Sequence, residues 1–326
     1  MRLTMPTRRS DVLAALREAG SAGVSGEAVA ARLGVSRVAV RKHVVALCAA
    51  GYEIEAVPGS GYRLLAVPDL PLPDEVAPLL EDPARWGLRG GGPTGSTNDD
   101  AKVLARAGAH DGTVVLASEQ TGGRGRLGRT WSSPLGGVYL SAVLRPPLAV
   151  HESPPLALAC ALGVALGLER LGAAPALKWP NDVLLGEGKL AGLLLEVSAE
   201  SDALEWAVVG AGINVRPPVG GAREPGAAYL ADALDPAPRL GAVAAAVLDG
   251  IAEACAPLEA GEGFAPVRDA YSRRLATAGA DVAVRDRAGA VVAEGVARGV
   301  DEWGRLLVEG AQGVTAIVAG EVTLRA

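Results

Sequence analysis

Residues 122–131, GGRGRLGRTW, place four glycines and three arginines within ten positions of a chain whose formal net charge is −6. Glycine lets backbone N–H groups come close to a ligand, and each arginine offers a planar fork of donors matched to carboxylate or phosphate oxygens. The stretch therefore reads as an anion-binding loop. It is not a Walker A loop, because no Gly-Lys-Ser/Thr ending supplies a lysine for the β/γ-phosphates and a hydroxyl for magnesium. Taken alone, the same composition also suits a solvated basic turn or one touching nucleic-acid phosphate.

Four other segments carry chemistry-bearing residues. They are GSTN at 95–98, LKWPNDVLL at 177–185, KLAGLLLE at 189–196 and GAGINV at 210–215. Asn181 and Asp182 have two open readings: positioning a magnesium ion, or orienting Lys178 and Lys189. Trp131 and Trp179 read as core packing unless a ligand claims them. The acidic pairs Asp99-Asp100 and Glu81-Asp82 show no sequence partner and read as solvated.

In this order and spacing the segments resemble the biotin protein ligases. With a helix-turn-helix ahead of the ligase, the chain resembles the bifunctional form that joins a ligase to a biotin operon repressor. The resemblance implies that ATP activates biotin to biotinyl-5′-AMP, with Mg2+ as cofactor. Biotin then passes to a lysine of the biotin carboxyl carrier protein of acetyl-CoA carboxylase. It also implies catalytic roles for Lys189 and Arg124, and a biotin or adenylate site at Ser96, Thr97, Asn98, Gln120, Gly123, Arg124, Gly125, Arg126, Trp131, Lys189 and Asn214. Asp182 and Arg325 fall on the ATP side, and no residue is assigned as a metal ligand. The arginine loop is expected to be unordered until ligand arrives, since it buries little alone. Biotin-sensing repression without ligase activity, a lipoyl ligase, and a ligase with a vestigial head are the competing readings.

The elements that must position these residues follow from periodicity. Val12–Leu16 has helical apolar spacing. Ser25 caps a second helix over Gly26–Leu33, and Ser36 caps a third from Arg37 to Ala50, with Gly34 and Gly51 at the turns. Strands about a Pro58–Gly61 turn complete a winged helix-turn-helix. Its DNA-contacting residues are Ser36, Arg37, Arg41, Lys42 and, in the wing, Arg63. Residues 1–66 hold nine Arg/Lys against five Asp/Glu, a net +4, whereas residues 67–326 carry −10. A basic head on an acidic body fits operator DNA as a partner, and a short half-site favours a homodimer, formed when the adenylate is bound.

The fold class expected is α+β, in three domains. These are the winged head at 1–66, a biotin/ATP-binding body at 67–277 opened by a Pro-rich linker over 67–74, and an SH3-like β-barrel at 278–326. The body reads as strands near 113–118, 137–144, 177–179, 190–197 and 206–215, with helices near 98–107, 152–171 and 242–258. The resemblance adds a class II synthetase-like mixed sheet, largely antiparallel, with helices on one side.

Composition excludes several classes. With 49% apolar residues, core material is ample. Cys48, Cys160 and Cys255 stand far apart, and His43, His110 and His151 lack ligand spacing, so neither a disulfide framework nor a zinc site is expected. The first residues, MRLTMPTRR, lack an apolar signal core. The longest apolar run, Leu156–Leu168, has 13 residues, short of the roughly 20 a bilayer needs. A cytoplasmic protein without membrane association is expected.

Overall fold

The computed structural model describes residues 8–57 and 61–324. Arg325, expected on the ATP side, and most of the wing turn lie outside them. The chain divides into two compact units, residues 1–69 and 70–326.

In the first unit, helices α1 (Arg8–Ala19), α2 (Gly26–Leu33) and α3 (Arg37–Ala49) precede strands β1 (Glu53–Val57) and β2 (Gly61–Ala66). The caps are those the sequence requires. Ser25 Oγ accepts from Ala28 N at 3.0 Å and Ser36 Oγ from Ala39 N at 3.1 Å. Gly34 takes φ 62° to end α2, a conformation that strains residues with a Cβ. Val40, Val44 and Leu47 turn one face of α3 into the core with Val12, Leu13 and Leu16 of α1. The opposite face is left to solvent. Strands β1 and β2 pair antiparallel.

The second unit begins inside the stretch expected to be linker. Leu72 and Val76 are buried, and Pro73–Val76 forms a one-turn helix, α4, packed against a later helix. A Pro-rich run becomes structure here because proline suits the first helical turn and its apolar neighbours find a core.

A seven-stranded sheet follows. Its strands are β3 (Gly87–Gly90), β4 (Thr113–Ala117), β5 (Gly137–Leu144), β6 (Pro175–Lys178), β7 (Asp182–Leu185), β8 (Gly188–Glu200) and β9 (Ala203–Asn214). They lie in the order β3-β4-β5-β9-β8-β7-β6, antiparallel except for the β3–β4 pair. Strands β3 and β7, too short for a clear period, escape a sequence reading.

Alternation divides the sheet's two faces. Val114, Leu116, Leu140, Ala142 and Val209 meet helices α6 (Pro154–Arg170) and α7 (Leu240–Glu259) in the main core. Val115, Val143, Trp206 and Val208 point the other way, against helix α5 (Thr97–Arg106). Helices on both faces correct the one-sided arrangement that the resemblance implied. Helices α6 and α7 are long and apolar enough to cross a membrane by length and composition, but both are buried against each other and the sheet. Where they cross, a Cβ on Gly250 would lie 2.1 Å from Gly163 O, so only glycine permits this approach.

After helix α8 (Ala265–Arg274), strands β10 (Asp281–Arg285), β11 (Val291–Val300), β12 (Leu306–Gly310), β13 (Gly313–Ile317) and β14 (Glu321–Leu324) form the expected C-terminal barrel-like sheet, ordered β13-β12-β11-β10-β14. It belongs to the same compact unit as the seven-stranded sheet.

Candidate functional site

The α5 face of the sheet carries glycines where the strands run under the site. On β8 and β9, Gly192 pairs with Gly212 and Leu194 with Gly210. A Cβ on Gly212 would lie 2.3 Å from Trp131 Nε1, and one on Gly192 would lie 2.9 Å from Trp131 Cζ3. The indole therefore rests flat on bare backbone. Trp131 Nε1 is buried without a hydrogen-bond partner among the described residues. Lys189 Nζ stands 5.2 Å from the ring centroid of Trp131 and 2.8 Å from Asp182 Oδ1.

The loop 122–131 is a hairpin. Trp131 N donates to Gly123 O at 3.0 Å and Gly125 N to Arg129 O at 2.7 Å, with Leu127 left-handed at φ 58° in the tip. Within the hairpin each arginine has a protein acceptor. Arg124 grips the Asp99 carboxylate with both terminal nitrogens, at 2.7 and 2.5 Å. Arg126 donates to Asn181 Oδ1 at 3.1 Å, and Arg129 to Glu321 of β14 at 2.7 Å. Burial lowers Arg126 from the usual guanidinium value.

At the N-terminus of α5, Ser96 is the cap, and Thr97 and Asn98 are buried. Gln120 Oε1 accepts from Thr97 N at 2.8 Å and from Thr97 Oγ1 at 3.1 Å, while Gln120 Nε2 donates to Ser133 Oγ at 2.9 Å. Asn98 uses its whole amide on the protein. Its Nδ2 donates to Glu196 Oε2 at 2.9 Å and more weakly to Leu194 O, and its Oδ1 accepts from Ser141 Oγ at 2.6 Å.

The acidic pair read as solvated is engaged. Asp99 meets Arg124 and also Lys102 Nζ at 3.0 Å, and Asp100 accepts from Thr94 Oγ1 at 2.5 Å. The Arg124 guanidinium, with Lys102 adding to it, holds the Asp99 carboxyl down at about 2 against its partial desolvation. Glu196 is raised by burial but lowered further by hydrogen bonds from Lys102 and Asn98, so the net direction is downward. Lys102 lies one helical turn from Asp99 and Thr94 six residues from Asp100, whereas Arg124 comes from the hairpin, which no local spacing reveals.

These residues surround a cleft of about 450 Å³ that reaches from the sheet to the β10–β11 and β13–β14 turns of the barrel. Among the described residues seven Lys/Arg side chains line it, against Asp182, Asp286 and Glu321. An anionic ligand is the one this balance favours.

Residues 94–214 match the biotin/lipoate A/B protein ligase family, residues 278–325 the biotin protein ligase C-terminal domain, and residues 8–63 a helix-turn-helix domain. The biotin–[acetyl-CoA-carboxylase] ligase of Paracoccus denitrificans is 39% identical over 240 residues, which cover 70% of this chain and 97% of that protein. The chain belongs to the biotin protein ligase family. The bifunctional ligase/repressor BirA of Bacillus subtilis is 38% identical over 220 residues, 64% of this chain and 65% of that relative, so the match spans just under two thirds of its length. Among solved structures, the biotin protein ligase of Aquifex aeolicus in complex with biotin and ATP superposes with a TM-score of 0.61 at 30% identity, over 73% of this chain and 98% of that one.

Within this ligase fold, the cleft wall brings together Ser96, Thr97, Asn98, Gln120, Arg124, Gly125, Arg126, Trp131, Asp182 and Lys189 from the sequence reading. Gly123 and Asn214 stand behind it. A Cβ on Gly123 would lie 2.5 Å from Trp131 O, so this glycine closes the hairpin stem. Asn214 Nδ2 donates to Lys189 O at 3.2 Å and steadies the strand that carries the lysine. Trp179 is a packing residue, buried with its Nε1 donating to Gly304 O at 3.0 Å. Of the two open readings at Asn181 and Asp182, the structure shows Asp182 on Lys189, with Asn181 on Arg126 rather than a lysine.

Glu321 and the turn residues Asp286 and Arg287 are cleft residues that the sequence reading missed. In the head, Arg37, Arg41 and Lys42 are exposed on α3, and Arg63 lies 3.8 Å from Glu55 Oε2.

Proposed function

We propose that the chain is a cytoplasmic biotin protein ligase that also acts as a biotin operon repressor. The observation that carries the ligase reading is that Lys189, Arg124 and Arg126 line one cleft together with the neutral polar residues Ser96, Thr97, Asn98 and Gln120. A biotin carboxylate oxygen attacks the α-phosphorus of ATP, the bond to the pyrophosphate oxygen breaks, and biotinyl-5′-AMP forms. A carrier lysine amine then attacks the acyl carbon, AMP leaves, and one proton is lost.

The chain's part is to hold charge and exclude water. Lys189 sits at the carboxylate and α-phosphate end, where its positive charge opposes the negative charge that builds in the transition state. Arg124 and Arg126 place two more forks beside it. Ser96 and the remaining N–H of Gln120 are free to meet the ureido head, whereas Thr97 and Asn98 hold the floor. Trp131 supplies an apolar wall with one unused donor. ATP also meets Asp182 and, in this reading, Arg325.

Among the described residues no cluster of three His, Cys, Asp or Glu is poised for a metal. That suits magnesium, which binds substrate phosphates and water and takes one or two protein carboxylates. Asp182 is the donor available, with Asn181 beside it, and the ion would neutralise phosphate charge there. The acceptor is the biotin carboxyl carrier protein of acetyl-CoA carboxylase. Adenylate left unused when carriers are saturated would favour a homodimer and bring two heads to operator DNA.

ATP-dependent transfer of labelled biotin to a carrier domain tests the ligase. Lys189→Ala is expected to slow transfer by about 10²–10³, the usual loss for one electrostatic stabiliser. Biotin binding by the native protein with no transfer would leave a biotin-sensing repressor.

A further inference from the structure

The solvent face of α3 is basic, but it is not uniformly polar. Val38 is 78% exposed and Val45 60% exposed, whereas Val40, Val44 and Leu47 of the same helix are buried. At about 100° per residue, Arg41, Val45 and Val38 fall within some 60° of arc, with Arg37 and Lys42 on either side. The two valines therefore form one apolar stripe along the centre of a cationic face. They lie seven residues apart, about 10 Å along the helix axis.

Single exposed apolar residues are ordinary. Two aligned β-branched residues that do no packing, at the centre of the face that the fold offers to a partner, need an occupant. Charge selects it. Helix α3 contains no Asp or Glu, and among the described residues Arg37, Arg41 and Lys42 make no ion pair. A polyanion is complementary to the flanks, and the stripe needs apolar groups at the same surface. Duplex DNA offers both in its major groove, where the only apolar group on a base edge is the thymine 5-methyl.

We infer that Val38, with Val45 extending the stripe, reads thymine methyl groups in the operator half-site, while Arg37, Arg41 and Lys42 bind phosphates or guanine edges around them. This rests on the repressor reading above and adds to it the base class that the head selects. Val38 lies in the first turn of α3, the part of a recognition helix that approaches base edges in this fold.

The test begins with selection of binding sequences from a random duplex library by the full-length protein with biotin and ATP. Each thymine of the selected duplex is then replaced, one position at a time, by deoxyuridine, which lacks only the methyl. Removing a methyl that Val38 covers should weaken binding about fourfold per half-site, and about fifteenfold when both half-sites are changed. Val38→Ala should bind the thymine and deoxyuridine duplexes alike and keep the native salt dependence, since the cations remain. Its biotin transfer reports that the other unit is intact, and its retained, salt-dependent binding of duplex reports that the head is folded.

Equal affinity of the native protein for every deoxyuridine duplex overturns the inference and leaves the repressor reading standing. Discrimination that persists undiminished in Val38→Ala also overturns it. Failure to enrich any sequence removes the repressor reading itself.

Discussion

Gly210→Ala isolates how the sheet makes room for the site. A Cβ at position 210 would lie 2.0 Å from Asn98 Oδ1 and 2.9 Å from its Cγ, far inside van der Waals contact. Asn98 is buried at the first turn of α5 and cannot yield without giving up its amide bonds. Those bonds are one to the Glu196 carboxylate and one from the Ser141 hydroxyl. A hydrogen bond to a charged group contributes roughly 1.5–3 kcal/mol and a neutral one about 1 kcal/mol, so the substitution should cost about 2.5–4 kcal/mol. All five tryptophans lie between residues 86 and 303. Tryptophan fluorescence during urea unfolding therefore follows residues 70–326 without a contribution from the head. In an Asn98→Ala background the clash is gone, and Gly210→Ala should then cost less than about 0.5 kcal/mol. If the two substitutions instead add to within about 0.5 kcal/mol of independence, Gly210 is not there to admit Asn98 and the reasoning fails.

Three further outcomes follow from the same contacts. The Asp99 carboxyl is depressed to about 2, so the stability it adds is present above the unfolded value near 3.8 and disappears as pH falls through 2; Asp99→Asn should destabilise the protein at pH 7 and match the native protein near pH 2, and a pH-independent difference would count against the ion pair. Its side chain is 48% exposed, so solvent screens the pair and the loss is small. Glu321→Ala releases Arg129 from the barrel; the pair is exposed, so stability should change by less than about 1 kcal/mol, while tryptic cleavage after Arg124, Arg126 or Arg129 should rise several-fold, and unaltered cleavage would mean the hairpin does not depend on this hold. Gly250→Ala places a methyl against Gly163 O where α6 meets α7 and should cost about 1–3 kcal/mol through overpacking; a neutral result would show that the two helices can move apart freely.

Much of this was legible in the chain because the relevant signals are local. Ser25, Ser36, Gly34 and Gly51 mark the helices of the head, and continuous apolar runs mark the strands β5, β8 and β9. Ser96, Thr97, Gln120 and Lys189 could be assigned together only through a family pattern, since neither propensity nor periodicity says that residues almost a hundred positions apart share a cleft. What stayed hidden is what the register of the sheet decides. Asn98 had the residue type of a ligand contact, yet β5, β8 and β9 present Ser141, Glu196 and the bare Gly210 to it, and these take up its amide. Asp99 and Asp100 looked solvated although Lys102 and Thr94 lie close in sequence, and the stronger partner of Asp99, Arg124, comes from the hairpin. The short strands β3 and β7 and the helical turn at Pro73–Val76 owe their existence to tertiary packing, which overrides weak local preference.

The arginine hairpin shows why these non-local partners matter for function. Its three arginines are held by three different parts of the unit: Asp99 at the start of α5, Asn181 between β6 and β7, and Glu321 on β14. Each contact satisfies a cation that would otherwise face its neighbours across the same cleft, so the loop can be built before any ligand supplies negative charge. An entering carboxylate or phosphate must compete for Arg124 with a carboxylate already bound by both its nitrogens, whereas Arg126 offers a neutral amide in exchange and is partly desolvated. Arg126 is therefore the easier of the two to recruit, and Arg124 should turn inward only for a ligand that outcompetes Asp99. Asp99→Asn weakens that competitor while keeping its shape. It should tighten binding of biotin and of biotinyl-5′-AMP, each of which brings one negative charge, as measured by calorimetry at fixed ionic strength. Unchanged or weaker binding of both ligands would mean that Asp99 holds Arg124 in its working position rather than competing for it.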